Sequence, residues 1–107
     1  MADPCAHEHH EHDLLPRAAL ERAAGIGAAL GDPERLHLLE LLAQGRHCVS
    51  ELASETDAAM PTVSQRLRLL TQAHLVRRSR EGRHVYYELA DAHVEQLLHQ
   101  LFAHATE

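Results

Sequence analysis

Four side chains near the C-terminus of this 107-residue chain are of the kinds that bind metal ions. Asp91 and His93 are separated by one residue, and His104 and Glu107 are separated by two. Zinc accepts imidazole nitrogens and carboxylate oxygens in tetrahedral sites. The sequence holds 11 histidines, so a surface helix with solvated side chains is the alternative interpretation, and spacing alone leaves both open.

In one helix over residues 91–105, His93 and His104 would share a face, because eleven residues at 100° each return to within about 20°. The two would nevertheless lie roughly 16 Å apart, too far to bind one ion. A second chain must therefore complete each site. Two antiparallel helices would bring the first ligand pair of one protomer to the second pair of the other, which predicts a homodimer with two equivalent sites. Asp91 would have to be the N-cap of the helix for its carboxylate to reach His93.

Positive charge is concentrated in one part of an acidic chain. The formal net charge is −6, but residues 66–83 carry six arginines opposed only by Glu81, so this segment carries +5 and the remainder carries −11. Such a separation suits a DNA-facing edge on an acidic body. A solvated, arginine-rich loop is the alternative.

Length and composition favour a single small domain that is not an enzyme. The sequence has no signal peptide and no apolar run of the ~20 residues that a membrane span requires, so we expect a cytoplasmic protein without membrane contact. It contains no His-Glu-x-x-His, Gly-x-Ser-x-Gly or phosphate-loop motif, which argues against an enzyme. Cys5 and Cys48 are expected to be free thiols or metal ligands in that compartment.

The chain divides into an arm and a domain. Residues 1–13 lack apolar periodicity and predict a disordered, metal-binding arm rich in histidine and cysteine, whereas residues 14–107 have the pattern of a folded domain. Apolar residues spaced three and four apart from Leu15 predict a first helix that ends near Gly31. The tripeptide Asp-Pro-Glu at residues 32–34 predicts the start of a second helix, since it supplies an N-cap and a proline at the first helical position.

The following segments predict a helix-turn-helix and a wing. Two short helices, the first over about residues 48–55 and the second carrying Val63 and Leu67, are joined by a tight turn. Two strand-like segments, residues 75–80 and 83–89, flank Glu81 and Gly82 and predict a β-hairpin. A last helix presents an apolar stripe wide enough to pack on a partner.

Three segments, residues 28–36, 62–70 and 82–87, resemble the junction of helices 1 and 2, the recognition helix and the wing of the ArsR/SmtB family of metal-responsive repressors. The resemblance extends over roughly residues 20–107. It implies a mainly α fold with a β-hairpin wing, a winged helix-turn-helix, dimeric through its first and last helices. The C-terminal quartet matches the inter-subunit zinc site of the family at all four ligand positions.

The resemblance also implies a function. A metal-sensing transcriptional repressor would bind double-stranded operator DNA as an apo homodimer, and zinc, or alternatively cadmium or lead, would release it. The sequence leaves two alternatives open: a regulator of the same fold that responds to nickel, cobalt or thiol oxidation, and a zinc-buffering protein without DNA binding.

A second metal site of the family would lie at the start of the third helix. Cys48 and Glu51 are three residues apart there, and ligands from the arm could join them. Ser50 stands where the family has a second cysteine, which argues against a thiolate-rich site. The candidate ligands from the arm are Cys5, His7, His9, His10 and His12.

The candidate DNA-binding residues lie on the recognition helix and the wing. On the helix they are Thr62, Ser64, Gln65, Arg66 and Arg68. On the wing they are Arg77, Arg78, Arg80 and Arg83. Glutamine can read adenine, and arginine can read guanine. The histidines without a partner at ligand spacing are interpreted as structural or surface residues: His37, His47, His74, His84 and His99.

Overall fold

The predicted winged helix-turn-helix is confirmed by a computed structural model, which describes residues 13–107. The elements in chain order are α1 (Arg17–Leu30), α2 (Pro33–Ala43), α3 (Val49–Thr56), α4 (Met60–Gln72), β1 (Val76–Glu81), β2 (His84–Leu89) and α5 (Ala92–Ala105). Element boundaries differ from expectation by one or two residues, as at the start of α1, which was predicted at Leu15 and lies at Arg17. The predicted arm falls almost wholly on residues 1–12, outside the described residues. Among residues 13–107, no helix combines the length and apolar character that crossing a bilayer requires.

The junction of α1 and α2 is held by Arg35. Asp32 is the N-cap of α2 and accepts a hydrogen bond from the backbone N–H of Arg35 at 3.0 Å. The Arg35 guanidinium donates to the carbonyl oxygens of Ala29 and Ala28 at 2.7 and 2.9 Å. These carbonyls belong to the last turn of α1, where the regular helical donors four residues on are missing, and Ala28 also accepts from the N–H of Gly31 at 3.2 Å. One side chain therefore caps α1 and fixes it to α2.

The turn between α3 and α4 depends on a left-handed residue. Asp57 has φ = 52° and ψ = 43°, a conformation that aspartate tolerates better than most residues. Pro61 lies in the first turn of α4, where a missing N–H costs no helical hydrogen bond. Val63 and Leu67 of α4 are fully buried, so one face of this helix packs on the core and the opposite face points outward.

The wing is a two-stranded antiparallel hairpin with a two-residue loop. Glu81 pairs with His84, so the loop is formed by Gly82 and Arg83 rather than by Glu81 and Gly82 as predicted. Gly82 has φ = 62°, which only glycine adopts readily at the first loop position of such a turn. The loop carries Arg83 to the tip of the wing.

The core is formed mainly by α2, α3, α4 and α5. Leu38, Leu52 and Leu98 are buried, and they come from three different helices. Helix α1 contributes a single buried residue, Ala29, and leaves Leu20 49% exposed. In a single chain, most of the apolar surface of the first helix therefore stays exposed.

We expect the substitution Arg35→Met to lower the free energy of unfolding by about 1–3 kcal/mol, because it leaves carbonyl groups at the end of α1 without their charged donor. Urea denaturation monitored by circular dichroism measures this change. Arg17→Met is the matched control: Arg17 is also an arginine, and it donates to the exposed Glu21 one turn further along α1 at 3.3 Å. We expect the control to change stability by less than about 0.5 kcal/mol. Equal effects of the two substitutions would contradict the assigned role of Arg35.

Candidate metal and DNA sites

The first ligand pair is built into the start of α5. Asp91 is the N-cap of the helix, as predicted, and its Oδ1 accepts a hydrogen bond from the backbone N–H of Val94 at 3.1 Å. The same oxygen lies 3.6 Å from Nδ1 of His93. The extended backbone at the cap turns the carboxylate toward the histidine. Both side chains are solvent-accessible, with exposed fractions of 55% and 94%.

The second ligand pair lies at the other end of α5. Nδ1 of His104 is 3.8 Å from Oε2 of Glu107, and both side chains are exposed. The helix ends at Ala105, the end of the predicted range, and Thr106 is its C-cap, so Glu107 lies two residues beyond the helix. The hydroxyl of Thr106 donates to the Phe102 carbonyl at 3.0 Å and closes the last turn, which brings Glu107 back toward His104.

A single chain holds half of a tetrahedral ligand set at each end of α5. At 1.5 Å per residue the two histidines lie roughly 16 Å apart. Accordingly, residues 13–107 contain no group of three histidine, cysteine, aspartate or glutamate side chains that could hold one metal ion. Each pair offers one imidazole nitrogen and one carboxylate, and neither pair is buried in its own chain. This donor chemistry fits zinc, provided that two chains contribute.

The first ligand pair opens on a groove between α1, the end of α4 and the start of α5. The groove has a volume of about 760 Å³. Its apolar lining includes Ile26, Leu69 and Leu97. Asp91 and His93 also line the groove, so this half of the candidate metal site faces it.

Cys48 and Glu51 lie together at the start of α3, as their spacing predicted. The backbone N–H of Cys48 donates to Oε1 of Glu51 at 2.9 Å, and the Cys48 thiol lies 3.1 Å from the hydroxyl of Ser50. The hydrogen bonds from the backbone and side chain of Cys48 lower the pKa of Glu51 below its ordinary value of 4.5. The carboxylate is thus already used as a helix cap. The arm ligands Cys5, His7, His9, His10 and His12 lie outside the described residues.

The lowered pKa of Glu51 predicts a pH-dependent contribution to stability. A carboxylate with a depressed folded-state pKa stabilises the fold above its unfolded pKa, and the contribution is lost as the pH falls through the folded-state pKa. We expect Glu51→Gln to lower the thermal midpoint at pH 7 and to leave it unchanged at the acidic end of a titration from pH 7 to pH 2. Glu55→Gln on the same helix is the control. A constant difference across the titration would contradict a charge-based cap.

Most candidate base-reading residues lie on the exposed side of α4. Thr62, Ser64, Gln65 and Arg68 are exposed, whereas Arg66 is half-buried beside the packed face. Gln65 and Arg68 lie about 140–200° around the helix from the buried Val63, at 100° per residue. Ala59, the N-cap of α4, makes no side-chain cap hydrogen bond. The outward face of α4 therefore carries neutral and cationic donors suited to a nucleic-acid groove.

The arginines of the wing are not equivalent. Nε of Arg77 donates to Oε1 of Glu88 at 2.8 Å across the hairpin, so its charge is already partnered. Arg78, Arg80 and Arg83 are exposed and form no ion pair with any residue of the described part of the chain. These three are the wing cations available to an external anion.

Arg46 is a contributor to the wing that the sequence did not reveal. Its Nη2 lies 2.7 Å from Oε2 of Glu81, and its guanidinium carbon lies 4.1 Å above the ring of Tyr86. The neighbouring His47 exchanges backbone hydrogen bonds with Tyr87 at 3.0 and 2.8 Å. The segment after α2 is thereby joined to β2 and holds the hairpin against the body. No sequence spacing signals a contact between residues so far apart along the chain.

A helix-turn-helix whose second helix is polar on its outward face, followed by a cationic hairpin, defines the class of winged-helix DNA-binding regulators. The family profile described as "Bacterial regulatory protein, arsR family" matches residues 32–78. The chain belongs to this family, the ArsR/SmtB family of transcriptional regulators, which is a non-enzymatic class.

Curated relatives and solved structures agree with this assignment. A Synechocystis protein named "Transcriptional repressor SmtB homolog" is 40% identical over 81% of this chain, and the match covers 66% of that protein. A Staphylococcus aureus protein named "Cadmium resistance transcriptional regulatory protein CadC homolog" is 32% identical over 98% of this chain and 93% of its own length. The homodimeric winged helix-turn-helix DNA-binding domain of a possible ArsR-family regulator from Mycobacterium bovis superposes with a TM-score of 0.83 and 34% identity, covering 91% of this chain and 92% of that one.

Proposed function

We propose that the protein is a cytoplasmic, metal-sensing transcriptional repressor that binds operator DNA as an apo homodimer and is released by zinc, with cadmium, lead, nickel and cobalt as alternative effectors. The observation that carries the proposal is the placement of two exposed ligand pairs at opposite ends of α5. Neither pair completes a site alone, and a second copy of the same helix supplies the missing half.

The surface of α5 supports an antiparallel pairing of two copies. His93, Leu97 and His104 lie within about 40° of one another around the helix. This stripe is turned away from the buried Val94 and Leu98, and Leu97 is 43% exposed. With a twofold axis across the stripe, each ligand pair would lie beside the opposite pair of the other copy. The homodimeric solved relative from Mycobacterium bovis supports this assembly.

The position of Asp91 links the metal site to the DNA-binding elements. Asp91 follows β2 by two residues, and the N–H of Ala90 donates to the carbonyl of Leu75 at 3.0 Å, just beyond the end of α4. Zinc, when bound, would link the subunits through ligands from both chains. Asp91 and His93 then hold the wing and α4 of one subunit in a fixed relation to the partner. If that relation does not fit two successive major grooves, metal and DNA each weaken the binding of the other.

The DNA-binding face supports the repressor function over a zinc buffer. Gln65 and Arg68 are exposed on the outward side of α4, and the wing adds three arginines without ion-pair partners in the described residues. A protein that only stores zinc has no need of this cationic surface. The relatives named as SmtB and CadC homologues support a metal as the effector.

We expect zinc to release the wild-type protein from a fluorescent DNA duplex of its own promoter, and the variant His93→Ala/His104→Ala to bind the same duplex without release. Fluorescence anisotropy at low salt, titrated with zinc, measures both. His99→Ala is the matched control, because this exposed histidine lies on α5 about 120° away from the ligand stripe. If zinc releases the double variant from the duplex, the metal site that controls DNA binding lies in the Cys48 region. If none of the proteins binds the duplex, the repressor proposal is contradicted.

The wing arginines give a separate prediction for DNA affinity. We expect Arg83→Ala to reduce the slope of log affinity against log salt by about 1, because one phosphate contact is lost. The control is Arg77→Ala/Glu88→Ala, which removes a partnered arginine together with its carboxylate and leaves the net charge unchanged. Anisotropy titrations from low to physiological salt measure the slopes. Equal slopes for wild type and Arg83→Ala would exclude Arg83 from phosphate contact.

A further inference from the structure

His74 occupies an unusual position at the end of the helix that carries the candidate base-reading residues. It has φ = 59°, in the left-handed region. Its N–H donates to the carbonyl of Thr71, and the N–H of Leu75 donates to the carbonyl of Leu70, both at 3.0 Å. Glycine is the usual residue at such a helix end, because a Cβ is disfavoured there. Costly backbone conformations of this kind cluster at functional sites.

The hairpin brings His74 to the start of α5. Val76 pairs with Leu89, and the hydrogen bond from Ala90 to Leu75 extends the same register by one step. The ladder goes no further, because His74 has a left-handed φ and its N–H donates to Thr71. The hydrogen bond between Ala90 and Leu75 joins the residues next to Asp91 and His74, so the chain at His74 lies near the N-cap of α5.

His74 also lines the same groove as Asp91 and His93. The His74 side chain is exposed, so its imidazole can turn about its two side-chain torsions. In the described part of the chain the three side chains form no group that could hold one metal ion, so joining them on one ion requires the His74 imidazole to turn toward Asp91. The cation of Arg35, which lines the groove too, is held on the carbonyls of α1.

We propose that His74 is a further metal ligand, which joins Asp91 and His93 of its own chain on the ion held at the start of α5. This inference rests on the proposed function and deepens it. With His104 and Glu107 of the partner subunit, the site then offers five nitrogen and oxygen donors. A site with more than four donors can bind metal ions that prefer higher coordination numbers, as well as those that favour a tetrahedron. The fifth ligand also ties the ion directly to the end of α4.

Cobalt(II) is the probe that tests this ligand, because its visible absorption is strong in four-coordinate and weak in five-coordinate sites. We expect the full-length wild-type protein to show weak bands and His74→Gly to show stronger ones, with affinity for cobalt reduced by about tenfold or more. Metal-free His74→Gly should melt a few degrees higher than wild type, since glycine removes the cost of the left-handed Cβ. His99→Ala, the control on α5, should match wild type in both measurements.

The possible results distinguish the role of His74 as a ligand from the existence of the last-helix metal site. An unchanged cobalt spectrum and affinity in His74→Gly would overturn the role of His74 and leave the last-helix site intact. Cobalt binding of wild-type strength by His93→Ala/His104→Ala would overturn the last-helix site itself, and the role of His74 with it. A loss of cobalt binding in the double variant, together with stronger bands in His74→Gly, is the result we expect.

Discussion

The hydrogen bond from the Val94 N–H to the Asp91 carboxylate is the constraint on which the candidate metal site depends. It fixes the residue at which α5 begins, and with it the rotation of every side chain along the helix. The capping oxygen also lies 3.6 Å from Nδ1 of His93, so the cap and the first ligand pair are one structure. The second oxygen of Asp91 makes no hydrogen bond to a residue of the described chain and is the one that the proposed ion would bind.

Two surfaces of the monomer are better suited to a second copy than to water. Helix α1 is anchored at its C-terminal end by Arg35 but buries only Ala29. On α5, the exposed Leu97 lies between the two ligand pairs. Pairing of two chains would cover these apolar residues and would also complete the proposed metal ligand set. In the proposed function, metal binding and dimer geometry are thus coupled by the arrangement of one helix.

The DNA-facing charge is partly offset within the protein. Glu88 neutralises Arg77, and Glu81 pairs with Arg46 while Arg46 packs on Tyr86. These contacts hold the hairpin in place and leave the cations near its tip without an internal partner. Counting arginines along the sequence overestimates the number available to phosphate, because ion pairs across a hairpin depend on strand register.

The sequence by itself determined the elements, since the apolar periodicity, the Asp-Pro helix start and the Gly82 loop act through local sterics and hydrogen bonds that neighbouring residues supply. It also determined that Asp91 caps α5 and that Cys48 and Glu51 meet, because both contacts span only three residues. Only the tertiary structure decided that Arg35 locks α1, that Arg46 holds the wing and that His74 lines the same groove as Asp91. These arrangements involve residues that are distant in sequence or have an unusual backbone angle, and packing of the whole domain, rather than spacing along one element, brings them together.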